Sequence, residues 1–189
     1  MPARPSAEPP RLITISDWSP DWAAQFAIKA GAIRQALGAL ALRIDHIGST
    51  SIQGLAAKPI IDIQVSVADF EPIEAVVEPM TAAGFVWRSA NPELTKRYFR
   101  ELPGEARTQV HVRRLGSWNE QWALLFRDYM RGHSDEHSAY VALKRRLAER
   151  FPNDGAAYTD AKADHLWAVI QRADEWASKT GWRPGPSDG

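Results

Sequence analysis

A run of β-branched residues at positions 60–67 constrains the fold more than any other stretch of the chain, because its polarity alternates. Side chains alternate across a strand, so Asp62 and Gln64 share one side, and the isoleucines and valine around them share the other. The apolar side can pack into a core, and the polar side is free to face a ligand. We therefore predict a strand here that joins the core to a functional site.

A polar turn of small residues precedes this strand and follows another extended run, which contains His46. Gly48 permits a tight backbone, and Ser49 supplies an N–H and a hydroxyl, which are the elements of a small anion cradle. Lys58 adds a positive charge just before the carboxylate-bearing strand. We therefore predict that a phosphate-bearing ligand binds at Gly48, Ser49, Thr50 and Lys58.

The remaining sequence predicts helices on either side of further strands. Apolar residues at helical spacing predict one helix that starts near residue 19 and another over residues 71–83. Three further segments look extended, with a hairpin favoured between the last two: residues 85–88, 95–102 and 107–115. After residue 117, three apolar stripes at helical spacing predict three amphipathic helices. The sequence thus predicts an α+β fold, with a mixed β-sheet flanked by helices and a C-terminal helical bundle.

Length and composition fit one domain. At 189 residues, of which 44% are hydrophobic and 24% charged, the chain can bury a core of its own. We predict a single domain at residues 11–180 between disordered tails at residues 1–10 and 181–189. Within the domain, the mixed-sheet core covers residues 11–116 and the helical part covers residues 117–180. The eight tryptophans are interpreted as core and helix-packing anchors.

Charge and residue content exclude several kinds of function. Lys plus Arg and Asp plus Glu number 23 each, so the formal net charge of zero argues against general nucleic-acid binding. The absence of cysteine excludes disulfides, thiolate metal sites and cysteine nucleophiles. The sequence has no apolar run long enough to span a bilayer and no signal-peptide pattern, so we expect a cytoplasmic protein without a membrane partner.

Residues 46–63, which read HIGSTSIQGLAAKPIIDI, are similar to the signature of the GrpB family (glutamate-rich protein B, UPF0157). Similar motifs follow at residues 97–99, 109–112, 126–129, 140–144 and 158–162, so the resemblance covers roughly residues 13–176. The Gly-Ser turn and the Asp-bearing strand also resemble the nucleotidyltransferase fold typified by DNA polymerase beta. Since the GrpB domain occurs fused to some bacterial dephospho-CoA kinases, the resemblance implies that a partner enzyme is one candidate partner.

The resemblance also implies a set of site residues, which the chain matches in part. In nucleotidyltransferases the Gly-Ser turn holds nucleotide phosphates, and an Asp-x-Asp pair binds divalent metal beside a third carboxylate. Asp62 matches the first carboxylate, but Gln64 replaces the second, and His111 is the inward candidate on the later strand. The implied function is transfer of a nucleotidyl group from a nucleoside triphosphate to an unknown small-molecule acceptor. Asp62 and His111 would be catalytic, with a divalent metal such as Mg²⁺ at Asp62.

Two other functions stay open. Gln64 and the missing third acid favour a non-catalytic module that binds a nucleotide or a CoA-type ligand. Alternatively, His46, Asp62 and His111 could converge from three strands and hold a metal ion in a metal-dependent enzyme of different chemistry. The competing interpretation is that each histidine is only a hydrogen-bonded polar residue of the sheet.

Two further cations complete the predicted phosphate site. Arg97 can bind phosphate in bidentate fashion, and Lys162 lies four residues after Tyr158, on the same helix face. Lys144 is instead interpreted, with its two arginine neighbours, as part of a solvated helix face. Arg127 is assigned a structural role, anchoring the helices to the sheet.

Overall fold

A five-stranded mixed sheet forms the centre of the computed structural model, which describes residues 12–189. The strands are β1 (Arg43–Ile47), β2 (Ile61–Val67), β3 (Val86–Trp87), β4 (Lys96–Arg100) and β5 (Thr108–Arg114). They lie in the order β1-β2-β5-β4-β3; β2 and β5 are parallel, and the other neighbours are antiparallel. The tail predicted at residues 1–10 lies outside the described residues.

Six α-helices surround the sheet: α1 (Asp21–Leu37), α2 (Glu74–Ala82), α3 (Trp118–Gly132), α4 (His137–Arg150), α5 (Gly155–Asp160) and α6 (Ala163–Thr180). The predicted α+β class, with a mixed sheet and C-terminal helices, is confirmed. The last predicted helix differs, because a turn at residues 161–162 divides it into α5 and α6. None of the helices within residues 12–189 combines the length and apolar character needed to cross a membrane.

The two faces of the sheet have different partners. On one face, Ile61, Ile63 and Val65 belong to a buried apolar cluster with Phe26 and Ile33 of α1. On the other face, Asp62 and Gln64 lie beside Gln109 and His111 of β5, because these residues are register partners. The alternation predicted for β2 therefore separates a core face from a polar face.

Helix α3 covers part of the polar face through buried hydrogen bonds. Ser66 donates from its hydroxyl to Oε1 of the fully buried Glu120 at 2.8 Å, and the Gly116 N–H donates to Oε2 at 3.1 Å. Arg127, farther along α3, is also buried and donates to Asp45 at 3.3 Å. These contacts hold α3 against β1 and β2, in agreement with the structural role assigned to Arg127.

Residues 185–189 lie against β1, although the sequence predicts a disordered tail from residue 181. The Ile44 N–H donates to the Ser187 hydroxyl at 2.8 Å, and the His46 N–H donates to the Asp188 carboxylate at 3.0 Å. Asp188 also accepts a hydrogen bond from Arg127 at 2.8 Å. The edge strand β1 offers unpaired backbone groups, and this segment satisfies some of them, which composition alone does not reveal.

Candidate functional site

A cavity of about 240 Å³ opens on the polar face of the sheet, where the turn after β1 meets the start of β2. Helix α4, α5 and the turn before α6 supply the rest of its wall. The residues that matter for its chemistry are Ser49, Lys58, Asp62, His111, Lys144, Tyr158 and Lys162. The cavity thus gathers most of the polar groups that the sequence predicts for a phosphate site.

Gly48 brings the turn into close contact with β2. Its backbone has φ 68° and ψ −175°, a conformation that disfavours L side chains, and a Cβ at this position would lie 2.6 Å from Oδ2 of Asp62. The three residues after it form a 3₁₀ turn, Ser49–Ser51, in which the Ser51 hydroxyl donates to the Gly48 carbonyl at 2.6 Å. Only glycine lets Ser49 and Asp62 face the same cavity at this separation.

Asp62 and His111 lie side by side on neighbouring parallel strands. Nε2 of His111 is 3.6 Å from Oδ1 of Asp62, which is close but beyond hydrogen-bond distance. Burial lowers the pKa of His111, and the attraction of Asp62 offsets this only in part. The imidazole is therefore neutral at pH 7 and able to accept a proton. Its Nδ1 is buried and has no hydrogen-bond partner among the described residues.

Lys58 and Lys162 converge on one aromatic ring. Their Nζ atoms lie 4.6 Å and 4.8 Å from the centroid of Tyr158. Burial, followed by repulsion from Lys58, lowers the pKa of Lys162 to about 8, while Asp62 acts in the opposite direction. Burial likewise lowers the pKa of Lys58. Two desolvated cations thus stand near the Asp62 carboxylate.

Lys144 lines the cavity, so its interpretation as part of a solvated helix face is wrong. Its residue exposure is 2%, its ammonium group donates to the Ala56 carbonyl, and Nζ lies 4.4 Å from the Tyr140 ring centroid. Burial, with repulsion from Lys162, lowers its pKa to about 7. The apolar stripe of α4 and the spacing of Tyr140 and Lys144, four residues apart, could have placed this lysine on the inward face.

The turn also lies beside α4, because Ser49 and Tyr140 line a common hollow. Burial raises the pKa of Tyr140 to about 12, so the phenol stays protonated across the physiological range. The aromatic ring of Tyr140 in turn stacks on His165 of α6, with the centroids 5.0 Å apart. The anion cradle is therefore supported by the C-terminal helices.

His46 lies on the opposite face of the sheet from Asp62, because it pairs in register with Ile63. Its ring stacks on Phe26 at 4.7 Å, and Nε2 is 3.0 Å from the Thr50 hydroxyl, which donates to the Ile60 carbonyl at 3.1 Å. Burial lowers the pKa of His46 to about 4, so it is neutral and donates through Nε2. The structure does not bring His46 together with Asp62 and His111, and the Thr50 hydroxyl is already engaged.

Arg97 also lies on the core face of the sheet. It pairs in register with Val112, and its guanidinium lies 4.2 Å from the Phe70 ring centroid and 3.7 Å from the Glu71 carboxylate. The side chain is thus separated by the sheet from the cavity around Asp62. Lys144 lines that cavity with Lys58 and Lys162, whereas Arg97 does not.

The carboxylate set available for metal binding is small. Gln64, at the second carboxylate position, is fully buried and donates from Nε2 to the Glu120 carbonyl at 3.1 Å. Within residues 12–189, no three or more His, Cys, Asp or Glu side chains are grouped closely enough to hold a metal ion. Asp62 alone fits one Mg²⁺ that brings phosphate and water ligands with it, and the residues do not fit a two-metal site.

The sheet order, the glycine-serine turn and the carboxylate on β2 define a protein of the nucleotidyltransferase-like fold class. The Cid1 poly(U) polymerase with MgGTP bound superposes with a TM-score of 0.52 and 16% identity, covering 72% of this chain and 45% of that one. At this identity the likeness shows the fold alone.

The chain belongs to the GrpB family, because the family model for GrpB protein matches residues 12–172. The crystal structure of the conserved protein GrpB from Enterococcus faecalis has a TM-score of 0.78 and 30% identity, covering 86% of this chain and 99% of that one. A UPF0157 protein of Streptomyces coelicolor is 40% identical over 161 residues, which are 85% of this chain and 84% of that protein. The family resemblance found in the sequence is thereby confirmed.

Other relatives are longer than the matched region. A UPF0157 protein of Pseudomonas aeruginosa is 38% identical over 158 residues, 82% of this chain and 64% of that protein. A dephospho-CoA kinase of Mycolicibacterium paratuberculosis is 33% identical over 190 residues, 87% of this chain but 47% of that protein. The chain spans about half the length of that kinase, so the kinase name describes a larger protein.

Proposed function

We propose that this protein binds a nucleoside triphosphate in the cavity around Asp62 and transfers its nucleotidyl group to a small-molecule acceptor. The observation that carries the proposal is that Ser49, Lys58 and Lys162 line one cavity with Asp62. Two cations and a serine suit phosphate oxygens, and a carboxylate beside them suits a metal-bound phosphate rather than a bare anion. The nucleotidyltransferase-like fold supports this combination.

Different residues of the cavity would contact different parts of the triphosphate and its metal ion. The Ser49 N–H and hydroxyl would hold the end of the triphosphate, and Lys58 and Lys162 would neutralise its charge. Lys144, buried behind them, adds positive potential below its pKa of about 7. A divalent ion that arrives with the nucleotide would take Asp62 as its protein ligand and supply charge neutralisation for the departing pyrophosphate.

His111 is the residue best placed to move a proton. A neutral imidazole beside Asp62 can accept the proton of an acceptor hydroxyl as that oxygen bonds to the α-phosphorus. The bond from the α-phosphorus to the bridging oxygen breaks, and pyrophosphate leaves with the electron pair. Asp62, 3.6 Å from Nε2, stabilises the imidazolium that forms.

A second function is favoured by Gln64. Its neutral amide is tied to α3 at 3.1 Å, so the usual second metal carboxylate has no equivalent there. A protein with this site could bind a nucleotide or a CoA-type ligand without catalysing transfer, and act on a partner enzyme. This alternative is supported by relatives that are named dephospho-CoA kinase, since that name specifies a CoA-type ligand.

Isothermal titration calorimetry separates the two functions. ATP, GTP, CTP, UTP and CoA are titrated into the protein and into the Asp62→Asn variant, first with Mg²⁺ and then with EDTA. We expect triphosphates, ATP included, to bind in a manner that needs both Mg²⁺ and Asp62. Binding that survives EDTA and Asp62→Asn would favour the non-catalytic module, and a lack of binding by all five ligands would contradict both.

A further inference from the structure

Four tryptophans line a second, apolar groove of about 460 Å³ between α3 and α6: Trp118, Trp122, Trp167 and Trp182. Trp118 is 71% exposed and Trp167 is 57% exposed. The sequence interpretation of the tryptophans as packing anchors is therefore wrong for these two. Large aromatic side chains that stay exposed around a groove indicate a surface that contacts something else.

Two hollows share wall residues with both the tryptophan groove and the cavity that contains the lysines. One intervening hollow has Asp62, Lys162 and Trp122 in its wall. A second hollow has His111 in its wall together with Trp118 and Trp167. A ligand that places its phosphates beside Lys162 could therefore extend past Asp62 and His111 and reach the indole rings without leaving the protein surface.

The aromatic end of this path is rigid and weakly charged. The indole ring of Trp122 stacks on the ring of Phe126. The two ring centroids are 5.6 Å apart and the ring planes are within 5° of parallel, so this contact orients the indole. Three polar residues also line the groove, Gln121 of α3 and Gln171 and Asp174 of α6, and the two on α6 can hydrogen-bond to the edge of a ring. Cations at one end and aromatic faces at the other match a ligand that is anionic at one end and planar at the other.

We infer that the tryptophan groove binds the nucleobase of the triphosphate whose phosphates lie against Lys58 and Lys162. This inference rests on the proposed function and adds the subsite that holds the base. Stacking on tryptophan suits any planar base, so the groove contributes affinity more than selectivity among bases. Selectivity would come from the edge contacts of Gln171 and Asp174.

The test compares ATP with inorganic tripolyphosphate, which carries the phosphates without the base. Calorimetry with both ligands is run on the unmodified protein, Trp118→Ala and Trp167→Ala, with Ile28→Ala as the control. Ile28 is 73% exposed on α1, against the other face of the sheet. Both tryptophans are exposed, so these substitutions leave the core intact.

We expect each tryptophan variant to bind ATP about tenfold more weakly, because one stacking partner is lost. Tripolyphosphate affinity should be unchanged in both, and Ile28→Ala should change neither affinity. Unchanged ATP affinity in both tryptophan variants would overturn the base subsite while leaving the phosphate site intact. Failure of the unmodified protein to bind either ligand would overturn the proposed function and this inference together.

Sedimentation of the same variants tests the competing occupant of the groove. If Trp118→Ala or Trp167→Ala converts a dimer into a monomer without changing ATP affinity, the groove contacts a second copy of the chain, and the inference is wrong. We expect the same sedimentation coefficient for all four proteins. That result, with the tenfold loss of ATP affinity, would support a base subsite.

Discussion

At the residue scale, Gly48 links the fold to the candidate site. Its φ of 68° disfavours an L side chain, and a Cβ there would approach Asp62 Oδ2 to 2.6 Å. We expect Gly48→Ala to lower the free energy of unfolding by about 1–3 kcal/mol through the backbone alone, because φ 68° with ψ −175° is a conformation that essentially only glycine adopts. The same change should weaken ATP binding, because Asp62 must move away. Urea unfolding and calorimetry measure the two effects.

Gly54→Ala is the matched control for this prediction. Gly54 has φ 79°, but a Cβ there has no heavy atom within 4 Å. Gly54→Ala should therefore lose less stability than Gly48→Ala and keep its ATP affinity. If the two variants bind ATP equally well, then the contact between Gly48 and Asp62 does not shape the site.

The lysines give the site a defined dependence on pH. The pKa of Lys162 is lowered to about 8 by burial and by Lys58, so its ammonium group is charged below pH 8 and neutral above it. The attraction of Lys162 for a triphosphate is therefore complete well below pH 8 and declines as the pH rises through 8. We expect ATP affinity to fall between pH 7 and pH 9 in calorimetric titrations.

Lys162→Arg provides the control, since a guanidinium stays protonated over this whole range. The variant should bind ATP with a flatter profile above pH 8, because Lys144, whose pKa burial lowers to about 7, titrates mainly below that pH. An equally steep profile in Lys162→Arg would show that Lys162 is not the group responsible.

At the scale of elements, Glu120 fastens α3 to the sheet. It is fully buried and accepts hydrogen bonds from the Ser66 hydroxyl and the Gly116 N–H. Glu120→Ala would leave both donors buried without a partner, so we expect the free energy of unfolding to fall by about 3 kcal/mol. Glu149→Ala, at an exposed position of α4, should change it by less than about 0.5 kcal/mol in the same urea series. Similar losses in the two variants would contradict an anchoring role for Glu120.

The sequence predicts contacts between residues that are close together in the chain better than contacts between residues that are far apart in it. The alternation in β2 assigns Asp62 and Ile63 to opposite faces, because the period of a strand is fixed. The turn residue Ser49 lies close to them in the chain, so local pattern suffices to group it with Asp62. The confirmed α+β class follows from the same local patterns.

Other placements depend on long-range register and packing. His46 faces the core because Ile47, its neighbour, pairs with Asp62. A shift of one residue would reverse that assignment, and no local signal in the sequence fixes it. Lys144 donates to the Ala56 carbonyl, 88 residues away in the sequence, so the packing of α4 identifies this partner although the stripe of α4 can indicate an inward position.

At the scale of the whole molecule, both faces of the sheet contribute to stability, but only one carries the candidate site. The core face carries the apolar cluster with α1 and α2, whereas the polar face carries the lysine cavity, the tryptophan groove and a second apolar cluster built mainly from α3 and α6. Substitutions of the exposed tryptophans should therefore change ligand affinity with little effect on folding. Substitutions of buried cavity residues need urea unfolding measured beside the binding titration.

The central claim is that nucleotide phosphates bind beside Lys58 and Lys162, and calorimetric titration of MgATP tests it most directly. The ligand is titrated into the unmodified protein, Lys162→Met, and Lys179→Met, a control near the far end of α6 whose side chain is 77% exposed. We predict that Lys162→Met weakens binding at least about tenfold, as expected for loss of a buried charge-assisted contact, while Lys179→Met has no effect. Equal affinity in all three proteins, or no binding to any of them, would contradict the account.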